Sequence, residues 1–447
     1  MRSKHLCILL LLQSFLFIQC TIAETSNVRE EKDKKSISKS KDDVSDTNAE
    51  KPNASDASTI DKKSSSNIVN NLKQSHNFKQ IDFGFNIGYL ADLKNTNLFA
   101  GPLNQIKQDG ITKLRIYEPF TKNIVQQPGL APKLISPLVQ SGFKILLCLS
   151  NFPDVSQIQY DRSANSQEQN QMMNFTNRNA PVNMDAYDSY LSDFLDKLQN
   201  QNLLNDVSFE IGNEPDAKKY FWGKTEDFIR VARSVKQTIA KYNKPVYCCG
   251  FTSEFANQGA PDKGDYYNFL NDNPFFENVN LSFHFYQNDK FDVTQIKLPR
   301  LNNSIVTEFN MYSFQKNSTT GKNATTNSAQ FGSLLIRALV FTYRNNIKSI
   351  YFFKLVDIPN KEGTTGFFDV NGNAKPSYQY FKDIYDVVKD KYAVEQTNDY
   401  ISIIGNDKTI YYAVKNNVAI PNNTVVSSSG NYNGKTLGRD EWVIEKN

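Results

Sequence analysis

The sequence predicts an α/β protein, a closed (β/α)8 TIM barrel carrying a small β-subdomain at its C-terminal end. Two observations predict it. From Ile81 to about Lys389, short β-branched or aromatic runs alternate with longer amphipathic stretches, which is the pattern of repeated βα units. Eight strand-like runs fall in about 310 residues, within the ~200 to over 400 residues that such barrels span. A doubly wound open sheet is the rival arrangement of the same pattern.

In chain order, the predicted strands are Ile81–Tyr89, Lys113–Glu118, Lys144–Leu149, Val207–Ile211, Val246–Gly250, Asn280–Tyr286, Ser304–Glu308 and Ser349–Leu355. Helices are expected at Leu98–Gln108, Pro132–Gln140, Met184–Leu198, Glu226–Tyr242, Gln330–Tyr343 and Pro376–Val388. The stretches after the fifth and sixth strands carry the faintest helical pattern. Beyond Asp390, alternation returns at Tyr400–Ile404, Thr409–Val414 and Trp442-Val443-Ile444. Residues 391–447 are too few for an independent sandwich, so this β-subdomain is expected to pack on the barrel of residues 76–390, with help from a strand just before Ile81.

Residues 1–23 read as a secretory leader: Arg2, Lys4 and His5 precede the apolar run Leu6 to Cys20, and Thr21-Ile22-Ala23 suits cleavage. An uncleaved anchor is the alternative. Residues 24–75 are rich in Ser, Asn and charge, with ten basic and ten acidic side chains that cancel. Such a segment buries too little apolar surface to offset its ordering entropy, so it is expected as a disordered linker. Seven Asn-X-Ser/Thr sequons, at Asn53, Asn174, Asn280, Asn302, Asn317, Asn323 and Asn422, fit an exported glycoprotein. The expected location is extracellular, with a lysosome or vacuole as the alternative. No second apolar stretch is long enough to span a membrane.

With 447 residues and 39% hydrophobic content the chain can bury a large core. Its 51 basic and 47 acidic residues give a formal charge of only +4, and no basic block marks a nucleic-acid binder. Cys7 and Cys20 leave with the leader. Cys148, Cys248 and Cys249 remain in apolar runs, and are expected as buried thiols, a bridge from Cys148 to Cys248 or Cys249 being the alternative. His284 is the only histidine after residue 76 and no Gly-X-Ser-X-Gly occurs, which disfavours a Ser-His-Asp hydrolase and a His-based metal centre alike. No cofactor is expected.

Two segments carry the chemistry. Phe209-Glu210-Ile211-Gly212-Asn213-Glu214-Pro215 ends the fourth strand and Ile305-Val306-Thr307-Glu308-Phe309 ends the seventh. Catalytic residues of such barrels sit at the C-terminal ends of strands, so Glu214 and Glu308 would converge on one mouth from opposite sides. Two carboxyls about 5–5.5 Å apart are what retaining glycoside hydrolysis needs: one protonates the leaving oxygen while the other attacks the anomeric carbon. Arg115, in Lys113-Leu114-Arg115-Ile116-Tyr117-Glu118, can hold the nucleophile ionised, although a salt bridge to Glu118 would also occupy it. Tyr286, in Phe283-His284-Phe285-Tyr286, can donate its phenol to the same carboxylate.

Asn213-Glu214-Pro215 on strand four, His284-Phe285-Tyr286 on strand six, Glu308 on strand seven and Arg115 on strand two resemble the pattern of glycoside hydrolase clan A. The resemblance runs over residues 81–389, including the closing text Tyr351 to Asp357 and Asn373 to Tyr378. It implies a retaining O-glycosidase with Glu214 as acid/base and Glu308 as nucleophile. Asn213 would contact the sugar 2-hydroxyl, and Arg115, His284 and Tyr286 would support the site. Phe209 to Asp216 also looks like the strand-four text of the heparanase and β-glucuronidase family, while the xylosidase, β-glucosidase and endoglucanase families stay open.

One departure is on strand eight. Where the clan usually has a Trp platform, this chain has Phe352, Phe353 and Lys354; Phe353 is the stacking candidate, and Lys354 in the mouth would suit a substrate carboxylate. Tyr220, Phe221 and Trp222 follow Glu214 and form either a sugar-stacking wall or plain packing. The expected partner is a cell-wall or matrix β-glycan, handled by a monomer. A catalytically silent carbohydrate binder and a wall-remodelling transglycosylase are the alternatives on the same barrel.

Overall fold

Eight parallel strands close on themselves in sequence order: β1 (Asp82–Tyr89), β2 (Lys113–Glu118), β3 (Lys144–Leu149), β4 (Val207–Ile211), β5 (Val246–Phe251), β6 (Asn280–Gln287), β7 (Ile305–Met311) and β8 (Ser349–Phe352). The closing pair runs from Asp82↔Ser349 to Phe85↔Phe352. A computed structural model describes residues 77–89, 96–118, 130–149, 184–216, 221, 225–252, 274–287, 301–311, 328–357, 366–421, 424–429, 432 and 434–447, all within the unit Lys62–Asn447. Residues 1–23, expected as a leader, and the charged residues 24–75 lie outside the described residues. The closed barrel, rather than the open sheet, is therefore the fold.

Helices α1 (Thr96–Gln108), α2 (Leu130–Gln140), α3 (Met184–Asn200), α4 (Thr225–Ala240), α6 (Ser328–Asn345) and α7 (Pro376–Val388) match the six expected ones. After β5 the described residues hold only the single turn α5 (Pro274–Glu277). Strand β8 stops at Phe352 rather than Leu355. Past it the regular ladder ends, although Phe353 N–H still reaches Phe309 O on β7 and Leu355 N–H reaches Asn86 O on the neighbouring β1.

Four helices end in the same device. After α1, α2, α3 and α6, a residue at positive φ (Gly110, Gly142, Asn202, Asn346) is followed by an apolar one whose N–H bonds back five residues: Ile111 to Ile106, Phe143 to Leu138, Leu203 to Leu198 and Ile347 to Thr342. This Schellman turn satisfies orphan carbonyls and drives an apolar side chain under the sheet before the next strand begins.

Register partners in a sheet face the same side, and here they sort the side chains cleanly. Leu146, Ile305 and Tyr351, with Tyr247, form a small apolar cluster of their own. It contains one residue each from β3, β7, β8 and β5, and fills the barrel interior as a packed layer. Gly84 faces Tyr351, where a Cβ would lie 2.6 Å from the ring. The main core lies outside the sheet. Phe85, Phe352 and Phe381 pack at 5.4 to 5.5 Å and 4.8 Å between ring centroids, joined by Phe83 and Phe367 beneath α7.

The C-terminal residues form an antiparallel sheet of order β13-β15-β11-β10-β9, comprising Thr424–Ser428, Trp442–Lys446, Lys408–Ala413, Tyr400–Ile404 and Ala393–Gln396, beside a two-stranded pair of β12 (Val418–Ala419) and β14 (Thr436–Leu437). Lys79 and Tyr392 exchange two backbone bonds of 2.9 Å, so the segment before β1 does join this layer. Trp442 is fully buried against Gly332 of α6 and edge-on to Tyr380 of α7.

Candidate active site

The register that fills the barrel also builds the mouth. Arg115 partners Asn86 and Leu146; Cys148 partners Tyr117 and Glu210; His284 partners Glu308. These side chains share the inward face, and a shift in register between Phe283 and His284 brings Glu308 level with the histidine. Asn86, Arg115, Cys148, Glu210 and His284 are fully buried, and Glu308 is nearly so.

Glu308 is surrounded by donors. Arg115 Nη1 lies 2.8 Å from its Oε1, the Tyr117 hydroxyl donates to the same oxygen, and the Tyr286 hydroxyl donates to Oε2 at 2.5 Å. Burial alone would raise this carboxyl's pKa; His284, Arg115 and the two phenols outweigh burial and hold it below its ordinary value. Burial pushes both tyrosines well up, so they stay neutral donors. Arg115 is itself fixed by Glu210 Oε2 at 2.6 Å, Asn86 Oδ1 at 2.9 Å, Asn213 Oδ1 at 3.0 Å and Cys148 Sγ at 3.3 Å.

His284 lies between the two glutamates. Its Nδ1 lies 2.7 Å from Glu214 Oε1 and its Nε2 3.2 Å from Glu308 Oε1. Burial opposes charge on the ring, yet the Glu308 and Glu214 carboxyls outweigh it and raise its pKa. The ring nitrogen and one oxygen from each Glu lie within 4.8 Å of one another. Such a trio is also a metal-ligand set. Here the Arg115 guanidinium already supplies positive charge to Glu308, so the donor set does not suit a further cation.

Glu214 follows Gly212 at φ 82 and itself sits at φ 51, a strained backbone for a residue with a side chain, costing about 1–3 kcal/mol. Its N–H donates to Gly250 O at 2.8 Å. Its side chain is only partly buried, so it reaches the open mouth while Glu308 stays beneath.

The structure therefore brings Glu214, Glu308, Arg115, Asn213, His284 and Tyr286 together. Phe353 is beside them, half-buried and edge-on to Tyr286 with ring centroids 6.3 Å apart. Lys354 is buried, its Nζ 5.9 Å from the Phe353 ring centroid. Trp222 lies outside the described residues. Its neighbour Phe221 is buried against Phe228 at 5.3 Å, which makes Phe221 packing and not part of a sugar wall. Arg115 pairs with Glu210 and Glu308.

The cysteine expectation is corrected: Cys248 and Cys249 are bonded to each other, and Cys148 is the buried free thiol. Alternation along a regular strand sends adjacent side chains to opposite faces, but the β5–β6 register breaks between Cys248 and Phe251, within which both sulfurs reach one side. Sequence reasoning also missed Tyr117 and Glu210 as parts of the site. Tyr117 is two residues from Arg115 and so shares its face, a signal that was available; the Arg115–Glu210 pairing spans β2 to β4 and follows only from barrel curvature.

No family model and no curated protein matches the chain. Solved structures do. A GH39 β-xylosidase from Caulobacter crescentus is similar at TM-score 0.51 and 12% identity, over 76% of this chain and 78% of that one. A GH39 enzyme from Xanthomonas axonopodis pv. citri gives 0.52 and 10%, over 78% and 76%. A glycoside hydrolase family 30 subfamily 8 xylanase, Xyn30A, from Clostridium acetobutylicum gives 0.50 and 13%, over 83% and 94%. The chain shares the barrel fold of these glycoside hydrolases.

Proposed function

We propose that the chain is a retaining β-glycosidase of the clan A type, acting on O-glycosidic bonds of a poly- or oligosaccharide. One observation carries the reading: carboxyl oxygens of Glu214 and Glu308 approach within 4.8 Å, and only Glu308 is enclosed by Arg115 and two phenols. That separation fits direct attack by a carboxylate; inverting enzymes keep ~6.5–9.5 Å to hold a water between the groups.

Glu308 attacks the anomeric carbon and forms a glycosyl ester, while the glycosidic oxygen takes the proton of Glu214 and leaves as an alcohol. Glu214, now a carboxylate, removes a proton from the water that attacks the same carbon, and the sugar departs with its configuration retained. Negative charge thus moves from Glu308 to Glu214 in the first half and back in the second. His284 sits between the two, so its ring has one carboxylate neighbour at every stage and needs no rearrangement. Asn213, with its Oδ1 taken by Arg115, turns its NH2 to the sugar, and Phe353 offers a ring at the rim.

The leader-like residues 1–23 and the seven sequons support export, and the glycan is then an extracellular one. Two of the structurally similar proteins are described as a β-xylosidase and a xylanase, which puts xylosides first among the substrates to try. The test is turnover of a panel of chromogenic β-xylosides, glucosides, glucuronides and cellooligosaccharides by wild type and by Glu308→Ala. Loss of a covalent nucleophile should cost several powers of ten, and product NMR should show the β-anomer first. Activity that survives Glu308→Ala, or binding of glycan without turnover, would overturn the reading in favour of another chemistry or a silent binder.

A further inference from the structure

One acidic side chain at the mouth has no part in that mechanism. Asp216, two residues past Glu214, takes the N–H of Thr252 on its two oxygens at 3.0 and 3.2 Å and the Thr252 hydroxyl on Oδ2 at 2.6 Å. Thr252 directly follows β5, and Gly250 O receives the Glu214 N–H. The turn after β4 is thus tied to the end of β5 at two points, one on each side of Pro215.

The backbone of Glu214 makes such a tie necessary. A residue before proline prefers φ near −120°, yet Glu214 stands at φ 51. A non-glycine residue keeps that conformation only where its surroundings over-determine it. The seat it rests on is itself locked: Gly250 N–H donates to Ser282 Oγ at 2.8 Å, and a Cβ on Gly250 would lie 3.2 Å from Glu210 Oε1 and 3.3 Å from His284 Nε2.

We propose that Asp216 is a positioning residue for Glu214: by clamping Thr252 it holds the turn after β4 against β5 and keeps the acid/base carboxyl aimed over His284. The proposal rests on the reading of Glu214 as acid/base. Without the clamp, Glu214 relaxes toward the extended backbone that Pro215 favours, and proton delivery suffers while attack by Glu308 does not.

Leaving groups separate those two effects. A 2,4-dinitrophenolate departs with little protonation, whereas an unsubstituted phenol needs it. The experiment compares dinitrophenyl and phenyl β-glycosides of the sugar the wild type accepts, using the full chain and the variants Asp216→Ala, Thr252→Val and Glu214→Ala. Thr252→Val keeps the β-branched shape and removes only the hydroxyl. For Asp216→Ala, kcat/KM on the phenyl glycoside should fall about ten- to a hundredfold, and on the dinitrophenyl glycoside by less than about threefold. Thr252→Val should move the same way by less. If both substrates fall equally in the Asp216 and Thr252 variants, or neither falls, while Glu214→Ala separates them, Asp216 is merely structural and the proposal is wrong. If Glu214→Ala itself fails to separate them, the acid/base reading has failed and the proposal with it.

Discussion

At the scale of single residues, the proposed mechanism asks one buried carboxylate to stay ionised beside another that must hold a proton. Glu308 solves it by accepting from Arg115, Tyr117 and Tyr286 together. A hydrogen bond to a charged group contributes about 1.5–3 kcal/mol. Tyr286→Phe should therefore lower kcat/KM about ten- to a hundredfold. It should also move the acidic limb of the pH profile to higher pH: the phenol helps hold the Glu308 pKa down, so removing it raises that pKa and protonation silences the nucleophile earlier. An acidic limb that stays in place would mean that Tyr286 does not act on Glu308. Much of this site was legible in the text. Glu214, Glu308, Arg115 and Tyr286 could be picked because charged or phenolic groups at strand ends have few reasons to be there. The geometry that distinguishes them was not legible, since which carboxylate Arg115 reaches depends on strands brought together by closure rather than by neighbouring sequence.

At the scale of elements, strands were the easier half to read, because inward and outward residues of a barrel strand are both buried and give unbroken apolar runs such as Ile145 to Leu149. Helix ends were harder, being set by the turn that follows and not by apolar period. The turns Gly110-Ile111, Gly142-Phe143, Asn202-Leu203 and Asn346-Ile347 all reuse one motif to hand the chain from helix end toward the next strand. Gly142 stands at φ 87 with open space where a Cβ would go, so the cost of a side chain there is purely conformational. Gly142→Ala should destabilise the fold by about 1–2 kcal/mol, and Asn202→Gly should leave it unchanged or slightly more stable. Urea midpoints compared at constant slope read both; a silent Gly142→Ala would show that α2 does not end as described.

For the molecule as a whole, the question is whether barrel and C-terminal sheet form one cooperative structure. The sheet leans on the barrel: Trp442 and Ile444 are buried in the same core as α7, while only the small cluster of Ala413, Val418, Leu437 and Val443 belongs to the C-terminal residues alone. Four ties join the layers. Trp442 fills the space over Gly332, where a Cβ would touch its ring at 2.8 Å. Ser333 Oγ donates to Asp440 O at 2.7 Å, and Lys79 exchanges backbone bonds with Tyr392. Gly405 presses on Val387 O so closely that a Cβ would lie 2.1 Å away. Because the ties reach α6 and α7, which flank β8 and so the strand that completes closure, loosening the sheet loosens the barrel seam. Trp442→Ala should therefore cost about 3–5 kcal/mol, the usual price of an aromatic cavity, and still give a single calorimetric transition at lower temperature. Two separated transitions, with the upper one near the wild-type value, would show instead that the sheet is a detachable ornament and that the barrel closes without it.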